Sequence, residues 1–341
     1  MRNIWVAWIV AAFMGIADRA TAADPLETFY KGRSISLLVG GSAGGGYDSW
    51  ARAVARFIGK HLPGAPTIVV RNMPGAGGIA ALNFLANTAE RDGSVIGLVP
   101  NNTPVEPLFG AVEARYDAVK LNWLGTPSTE TSVVLVWHNA KVKDLADLKV
   151  TEATMGGSGA QSTPSFYTRL LNEVLGTRMK LINGYQGQNE VFLAMERGEV
   201  DGFPSVFFSS LSATRPQWIP QGLARPIVQY GPDRIPELAD VPFATDLLSN
   251  EDDKLLMQAA TAAQALGRPF VAPPDVPDDR LAALRQALSE SFIDPEFRAA
   301  ADKLGLIVNA PRSGQQLQEV IAAAYATPSR IVERLRRLNN P

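Results

Sequence analysis

Two glycine-rich stretches, residues 40–46 and 156–164, carry backbone groups suited to binding an anion. Each follows a short apolar segment of strand length and precedes a segment whose apolar residues recur at helical spacing. A glycine loop at such a junction leaves backbone N–H groups uncovered by side chains, with the positive end of the helix dipole behind them. One such loop alone could equally be a tight turn without a ligand. Two such loops, one in each half of the chain, predict a ligand that is bound between the two halves.

Several side chains near these loops could complete a binding site. Asp48 either contacts a ligand hydroxyl or caps the following helix, since aspartate is a preferred cap. The rings of Tyr47 and Phe203 could line the ligand pocket or belong to the hydrophobic core. We expect Asp201 to brace a loop through local hydrogen bonds. Asn101 follows the third predicted strand, at the carboxyl edge where ligands lie in open sheets.

Ser42 raises an enzymatic alternative. It lies in a G-x-S-x-G pattern between a predicted strand and a predicted helix, as a hydrolase nucleophile does. A triad also needs a histidine base, and of the two histidines only His138 lies far downstream, in a predicted turn. Paired carboxylates suited to acid–base chemistry are not evident either. We therefore predict a binding protein and no enzyme, and a serine hydrolase using Ser42 is the alternative.

The composition limits the partners and cofactors. The chain has 341 residues, 46% hydrophobic and 19% charged, and a formal net charge of −2, so it carries no basic footprint for nucleic acid or an anionic membrane surface. It has no cysteine and two histidines, which leaves too few ligands for a cysteine or multi-histidine metal site. We predict no metal and no cofactor.

The amino terminus has the pattern of a secretory signal. Arg2 precedes an apolar run over residues 4–17, and the small residues Ala20, Thr21 and Ala22 follow. The run is too short to span a membrane, although an uncleaved membrane anchor is the competing interpretation. We predict a signal peptide over residues 1–22, cleaved near Ala22, and hence an exported chain; the periplasmic location that we also predict is implied by the family resemblance described below.

The order of predicted elements indicates an α/β fold in two domains. Strands and helices alternate over residues 34–100, which implies a parallel sheet with helices on both faces. We predict that segments 127–130 and 232–242 are crossings between two halves of the chain. We predict residues 23–126 and 246–341 as domain 1 and residues 127–245 as domain 2, with the ligand cleft between them. Closure of this clamshell by hinge motion would bury the ligand.

The motifs resemble one known family in order along the chain. The first glycine loop, with Ala51 and Arg52 behind it, is similar to the first binding loop of the tripartite tricarboxylate transporter substrate-binding proteins, also called the Bug family of periplasmic receptors. The similarity extends from about residue 30 to the carboxyl terminus. The further matching segments are residues 72–78, the Asp-Gly turn at 92–93, the second loop at 156–164, the Tyr-x-Gly at 185–187 and the Gly-x-Val-Asp at 198–201.

The resemblance implies a fold, a ligand and a partner. The fold is the periplasmic-binding-protein clamshell, in which each of two domains has a central mixed sheet flanked by helices. The ligand is a small carboxylate, such as a di- or tricarboxylate or an aromatic acid, and the partners are the membrane permease subunits of a tripartite tricarboxylate transporter. A sensor that presents its ligand to a signalling ectodomain is the alternative. We expect a monomer.

The family holds a ligand carboxylate largely through backbone groups and waters from its two loops. Carried over to this chain, that implies binding at Ser42, Ala43, Gly44, Gly45 and Asp48 in the first loop and at Ser158, Gly159, Ala160 and Ser162 in the second. The full predicted site adds Tyr47, Asn101, Gln161, Tyr185, Asp201 and Phe203.

Some positions depart from the family pattern, and they bear on ligand identity. The departures are Gly40 and Gly41 in place of proline and phenylalanine, Met73 in place of arginine, Gln161 in place of glycine, Ser165 in place of a frequent histidine, and the large Trp50. We therefore expect a reshaped pocket.

Overall fold

The structure, a computed structural model, describes residues 24–160 and 162–340. The predicted signal peptide over residues 1–22, with its cleavage near Ala22, and the predicted site residue Gln161 lie outside the described residues. Within the described ranges, no helix has both the length and the apolar character needed to cross a membrane.

The elements alternate along most of the chain. In chain order the strands are β1 (Ser34–Val39), β2 (Thr67–Asn72), β3 (Val95–Leu98), β4 (Asn122–Thr126), β5 (Ser132–Trp137), β6 (Ala153–Gly157), β7 (Met179–Asn183), β8 (Gly202–Phe207), β9 (Ala224–Tyr230), β10 (Phe270–Ala272) and β11 (Arg312–Ser313). The α-helices are α1 (Pro25–Tyr30), α2 (Gly46–Ala55), α3 (Ile79–Asn87), α4 (Leu145–Val150), α5 (Thr163–Leu175), α6 (Gln188–Glu196), α7 (Phe208–Thr214), α8 (Glu251–Leu266), α9 (Asp278–Ile293), α10 (Pro295–Lys303), α11 (Gly314–Tyr325) and α12 (Ser329–Asn339). These elements build two sheets.

The first sheet has the strand order β11-β4-β10-β3-β1-β2. Its β1 pairs in parallel with β2 and β3, so the parallel sheet predicted for residues 34–100 is confirmed. In this register Val39 is opposite both Asn72 and Leu98, which brings the carboxyl ends of the three strands to one edge. The first glycine loop and Asn101 both leave the sheet at this edge. We call this sheet and the helices packed on it the first unit.

The second sheet has the strand order β7-β6-β8-β5-β9. Its β6 pairs in parallel with β7 and β8, whereas β5 pairs antiparallel with β8 and β9. Every residue of β5 is buried, as expected where both faces of a sheet are covered. We call this sheet with its helices the second unit. The predicted fold class, two mixed sheets flanked by helices, is therefore confirmed.

Two late helices pack on the second sheet. Leu256 of α8 and both Ile331 and Leu335 of α12 share a hydrophobic core with Val134 and Val136 of β5. The predicted boundaries assign residues 246–341 to the first unit, but an amphipathic face does not specify which of two sheets it will cover. The described chain consequently passes between the units three times, after β4, after α8 and after α11.

The first two of these crossings touch each other. The backbone N–H of Arg268 donates to the hydroxyl of Thr126 at 2.8 Å. Gly267 has a φ of +58°, and a Cβ added there would lie 1.7 Å from the carbonyl oxygen of Ser128. Only glycine meets both conditions, so the close approach of the two crossings depends on this residue.

Candidate functional site

The first glycine loop presents unpaired backbone donors at the start of α2. The helix begins at Gly46, and its N-cap residue, Gly45, has no side chain to bond the first turn. Among the described residues, the N–H groups of Gly46, Tyr47 and Asp48 have no hydrogen-bond partner. The four predicted loop residues Ser42, Ala43, Gly44 and Gly45 are all exposed. The loop can therefore offer N–H groups and a positive helix end to an anion.

Asp48 braces this loop from behind. Its side chain is 5% exposed, and one carboxylate oxygen accepts hydrogen bonds from the N–H of Gly44 at 2.8 Å and from Nε of Arg52 at 2.9 Å. The other oxygen accepts Nδ2 of Asn72 at 3.0 Å. The hydrogen bond from Arg52, followed by those from Gly44 and Asn72, lowers the pKa of Asp48 to about 2 although burial opposes the shift. Asp48 thus lies inside the first helical turn instead of at the cap position, which Gly45 occupies.

Tyr47 connects the first loop to the end of β3. Its hydroxyl oxygen accepts the backbone N–H of Asn101 at 2.9 Å and lies 3.4 Å from Oδ1 of the same residue. The guanidinium carbon of Arg268 is 5.1 Å from the centre of the Tyr47 ring. Burial raises the pKa of Tyr47, so the phenol remains neutral. The arrangement fixes the first turn of α2 against Asn101.

The second glycine loop connects β6 to α5 and is braced by serines. The carbonyl oxygen of Gly159 accepts hydrogen bonds from Oγ of Ser162 at 2.7 Å and from Oγ of Ser165 at 2.5 Å. Ser162 is the N-cap residue of α5, but its side chain makes no cap hydrogen bond. The N–H of Thr163, in the first turn, therefore has no partner within the described ranges. A Cβ added to Gly159 would meet nothing within 4 Å, so the loop is open at this point.

A cavity of about 620 Å³ lies beside the second loop. Its volume is typical of small-molecule sites, which span roughly 300–1,000 Å³. The walls come from both units: the 3-10 segment Thr103–Phe109 of the first unit faces the starts of α5 and α6, strand β8 and the end of α8. Three predicted site residues line it, namely Asn101, Ser158 and Phe203. The predicted residues outside its lining are Ser42, Ala43, Gly44, Gly45, Tyr47, Asp48, Gly159, Ala160, Ser162, Tyr185 and Asp201.

Two of the residues outside the cavity support its walls. The carboxylate of Asp201 accepts the N–H of Thr154 at 2.7 Å and its hydroxyl at 2.8 Å. It therefore braces strand β6, 47 positions away, where a local hydrogen bond within a loop was expected. Tyr185 is half-buried against the core around β8. Phe203 belongs to that core too, with its ring centre 6.2 Å from that of Phe192, so it is at once a core residue and a cavity wall.

Sequence reasoning missed several lining residues. Gly187 and Gln188 lie at the start of α6, whose first turn also lacks a side-chain cap. A glycine directly before an amphipathic helix is the same signal that identified the other loops. Glu106 and Gln264 gave no comparable signal, because one lies in an irregular proline-containing segment and the other inside a helix.

Among the described residues, neither a hydrolytic triad around Ser42 nor a group of metal ligands is brought together. The Ser42 hydroxyl makes no hydrogen bond to a histidine or carboxylate among the described residues, and His138 is an exposed residue next to β5. Histidine, aspartate and glutamate side chains also form no group of three able to hold a metal ion within these residues. What the arrangement can do is bind a small molecule between two units.

Comparison with known proteins gives a consistent result. The sequence profile described as "Tripartite tricarboxylate transporter family receptor" matches residues 50–336. A "UPF0065 protein in gbd 5'region" of Cupriavidus necator is 27% identical over 251 residues, which is 71% of this chain and 72% of that protein.

Several solved structures share the fold. A ligand-free TctC solute-binding protein from Polaromonas is similar with a TM-score of 0.70 at 20% identity, over 91% of this chain and 99% of the other. MatC from Rhodopseudomonas palustris with bound malate is similar with a TM-score of 0.56 at 20% identity, over 90% of this chain and 99% of MatC. Another R. palustris protein, with adipate, is similar with a TM-score of 0.57 at 18% identity, over 89% of this chain and 97% of the other.

Proposed function

Because the chain belongs to the tripartite tricarboxylate transporter receptor family, whose members are substrate-binding receptors, we propose that it captures a small carboxylate in the cleft between its two units. One observation carries this proposal. The first turns of α2, α5 and α6 all lack side-chain caps, and each lies at or beside the cavity. Unpaired N–H groups at a helix start attract anions, and charge-assisted hydrogen bonds are stronger than neutral ones.

Each of the three helix starts has a defined relation to the cavity. Thr163 of α5 and Gln188 of α6 line it directly. The first turn of α2 reaches it through Tyr47, whose hydroxyl bonds Asn101 in the cavity wall. On closure of the units, loop residues 42–45 would approach the ligand from the side opposite residues 158–162. The ligand would then be held between the two glycine loops, as the sequence predicts.

The relatives support a carboxylate as the ligand class. Two proteins of the same fold hold malate and adipate, both dicarboxylates. By the same reasoning we propose that the protein works in the periplasm after removal of its signal peptide. There it would deliver the ligand to the permease subunits of a tripartite transporter.

Thermal unfolding tests the ligand class. A ligand that binds only the folded chain raises the melting temperature by an amount that grows with its concentration. We expect such a rise with some members of a panel of mono-, di- and tricarboxylates at millimolar concentration. If no member of the panel shifts the transition, the proposed function is wrong.

A substitution in the second loop tests the location. Gly159→Leu places a side chain where the loop is open, without backbone strain, so the chain should fold and the carboxylate response should disappear. Ala299→Leu, at an exposed position on α10, is the matched control and should keep the full response. An unchanged response in Gly159→Leu would locate the site elsewhere.

A further inference from the structure

The charges on the cavity wall are unusual for a site that takes only anions. Of the described residues that line it, Glu106 alone has a formally charged side chain, and no lysine, arginine or histidine is among them. If one carboxylate of a dicarboxylate, of the kind bound by two relatives, lay at the helix starts, its other carboxylate would share the cavity with the Glu106 carboxylate. Like charges at close range in a partly buried site repel each other strongly.

Glu106 is half-buried and has few partners. One carboxylate oxygen accepts Nδ2 of Asn102 at 2.5 Å, and no cation pairs with the side chain among the described residues. Burial raises the pKa of Glu106 although the hydrogen bond from Asn102 opposes the shift, so the surrounding residues compensate the ionised form only in part. A cationic or donor group on the ligand would supply that compensation.

The opposite wall has the opposite polarity. Glu106 comes from the segment that follows β3 of the first unit, whereas the uncapped starts of α5 and α6 come from the second unit. The cavity therefore has an acid on one side of the cleft and positive helix ends on the other.

Apolar rings form a further part of the cavity wall. Four phenylalanines line the cavity, from α5, from β8 and from the 3-10 segment, and their rings offer no partner for a polar group. A ligand that reaches both the acid and the helix starts can pack an apolar segment against these rings. The rings are Phe109, Phe166, Phe203 and Phe207.

We propose that the preferred ligands carry an ammonium group separated from the carboxylate by an apolar segment, and that Glu106 binds the ammonium group. This inference rests on the proposed function, because the carboxylate is assigned to the helix starts. Glu106 would then be the residue that selects amino-bearing carboxylates over dicarboxylates.

The test compares ligands that differ at one end only. The probes are ω-amino carboxylates with two to seven methylene groups, together with the monocarboxylates and dicarboxylates of the same chain lengths. Affinities are measured by calorimetry on the mature chain, on Glu106→Gln and on Glu113→Gln. Glu113 is an exposed glutamate seven positions along the chain and outside the cavity lining, so its variant controls for the loss of one negative charge.

The expected result has two parts. The best ω-amino carboxylate should bind the unaltered chain at least about 10-fold more tightly than the monocarboxylate of equal length, as expected for a hydrogen bond to a charged group. Glu106→Gln should remove this preference and strengthen dicarboxylate binding, whereas Glu113→Gln should do neither.

The outcomes separate the two proposals. If carboxylates bind but the amino group gives no advantage, or if the advantage persists in Glu106→Gln, the role of Glu106 is refuted and the receptor function stands. If no probe of any class binds, the receptor function itself fails.

Discussion

The carboxylate of Asp48 allows a quantitative test of how the first loop is held. In Asp48→Ala the buried carboxylate is lost, and with it the hydrogen bonds to Gly44, Asn72 and Arg52. The Arg52 side chain is 51% exposed, so its ion pair contributes only about 0.5 kcal/mol. The bonds from Gly44 and Asn72 reach a buried charged group and dominate. We expect a loss of about 3 kcal/mol in the free energy of unfolding.

Thermal and chemical denaturation at neutral pH measure this loss. At about 1.5 °C per kcal/mol for a chain of this length, the melting temperature should fall by about 4–5 °C. Arg52→Ala is the matched control and should change the free energy of unfolding by no more than about 0.5 kcal/mol.

The pH dependence supplies a second readout. The pKa of Asp48 is about 2 in the folded chain against an ordinary value of 3.8. A lowered folded pKa stabilises the protein above the unfolded pKa, and this stabilisation is lost as the pH falls through about 2. The difference in the free energy of unfolding between the unaltered chain and Asp48→Ala should therefore become smaller below about pH 4. A variant as stable as its parent at pH 7, or a difference that does not shrink in acid, would refute the reasoning.

Two further predictions concern the crossings between the units. Gly267→Ala should lower the free energy of unfolding by at least about 2 kcal/mol, measured by chemical denaturation. The added Cβ would clash with the carbonyl of Ser128, and the positive φ would add backbone strain. Gly222→Ala has a similar φ and open space around it, so it should cost about 1 kcal/mol; equal losses in the two variants would contradict the argument. Arg268→Ala should cost about 3 kcal/mol because the buried Glu130 loses its cation, 3.4 Å away. Glu130→Gln in the same chain should recover most of that loss, and no recovery would show that the cost lies elsewhere.

The local features of the fold could be predicted from the sequence. The apolar runs, the glycine loops and the helical spacing behind them are each determined by neighbours in the chain, so β1, α2, β6 and α5 were all expected. A bracing role for Asp201 was expected as well, but its partner Thr154, 47 positions away in β6, was not.

Features that depend on distant packing could not be predicted in this way. The apolar faces of α8 and α12 fit either sheet, and only the assembled core shows that both cover the second. Glu106 has no motif around it, and its position in the cavity follows from how the segment after β3 meets the second unit. Whether the predicted loop residues contact a ligand also depends on closure of the cleft, which the binding experiments address.

The late position of α12 affects the order in which the protein can fold. The strands of the second sheet end at Tyr230, but the core that covers them also contains Ile331, Leu335 and Leu338. An ion pair between Arg334 and Glu173 closes a loop of 161 residues. Such distant contacts form slowly, since the entropy of closing the loop is lost before the contacts form. The core of the second unit therefore remains incomplete until residues 329–339 have been synthesised, and the apolar patch that they cover stays exposed to aggregation until then.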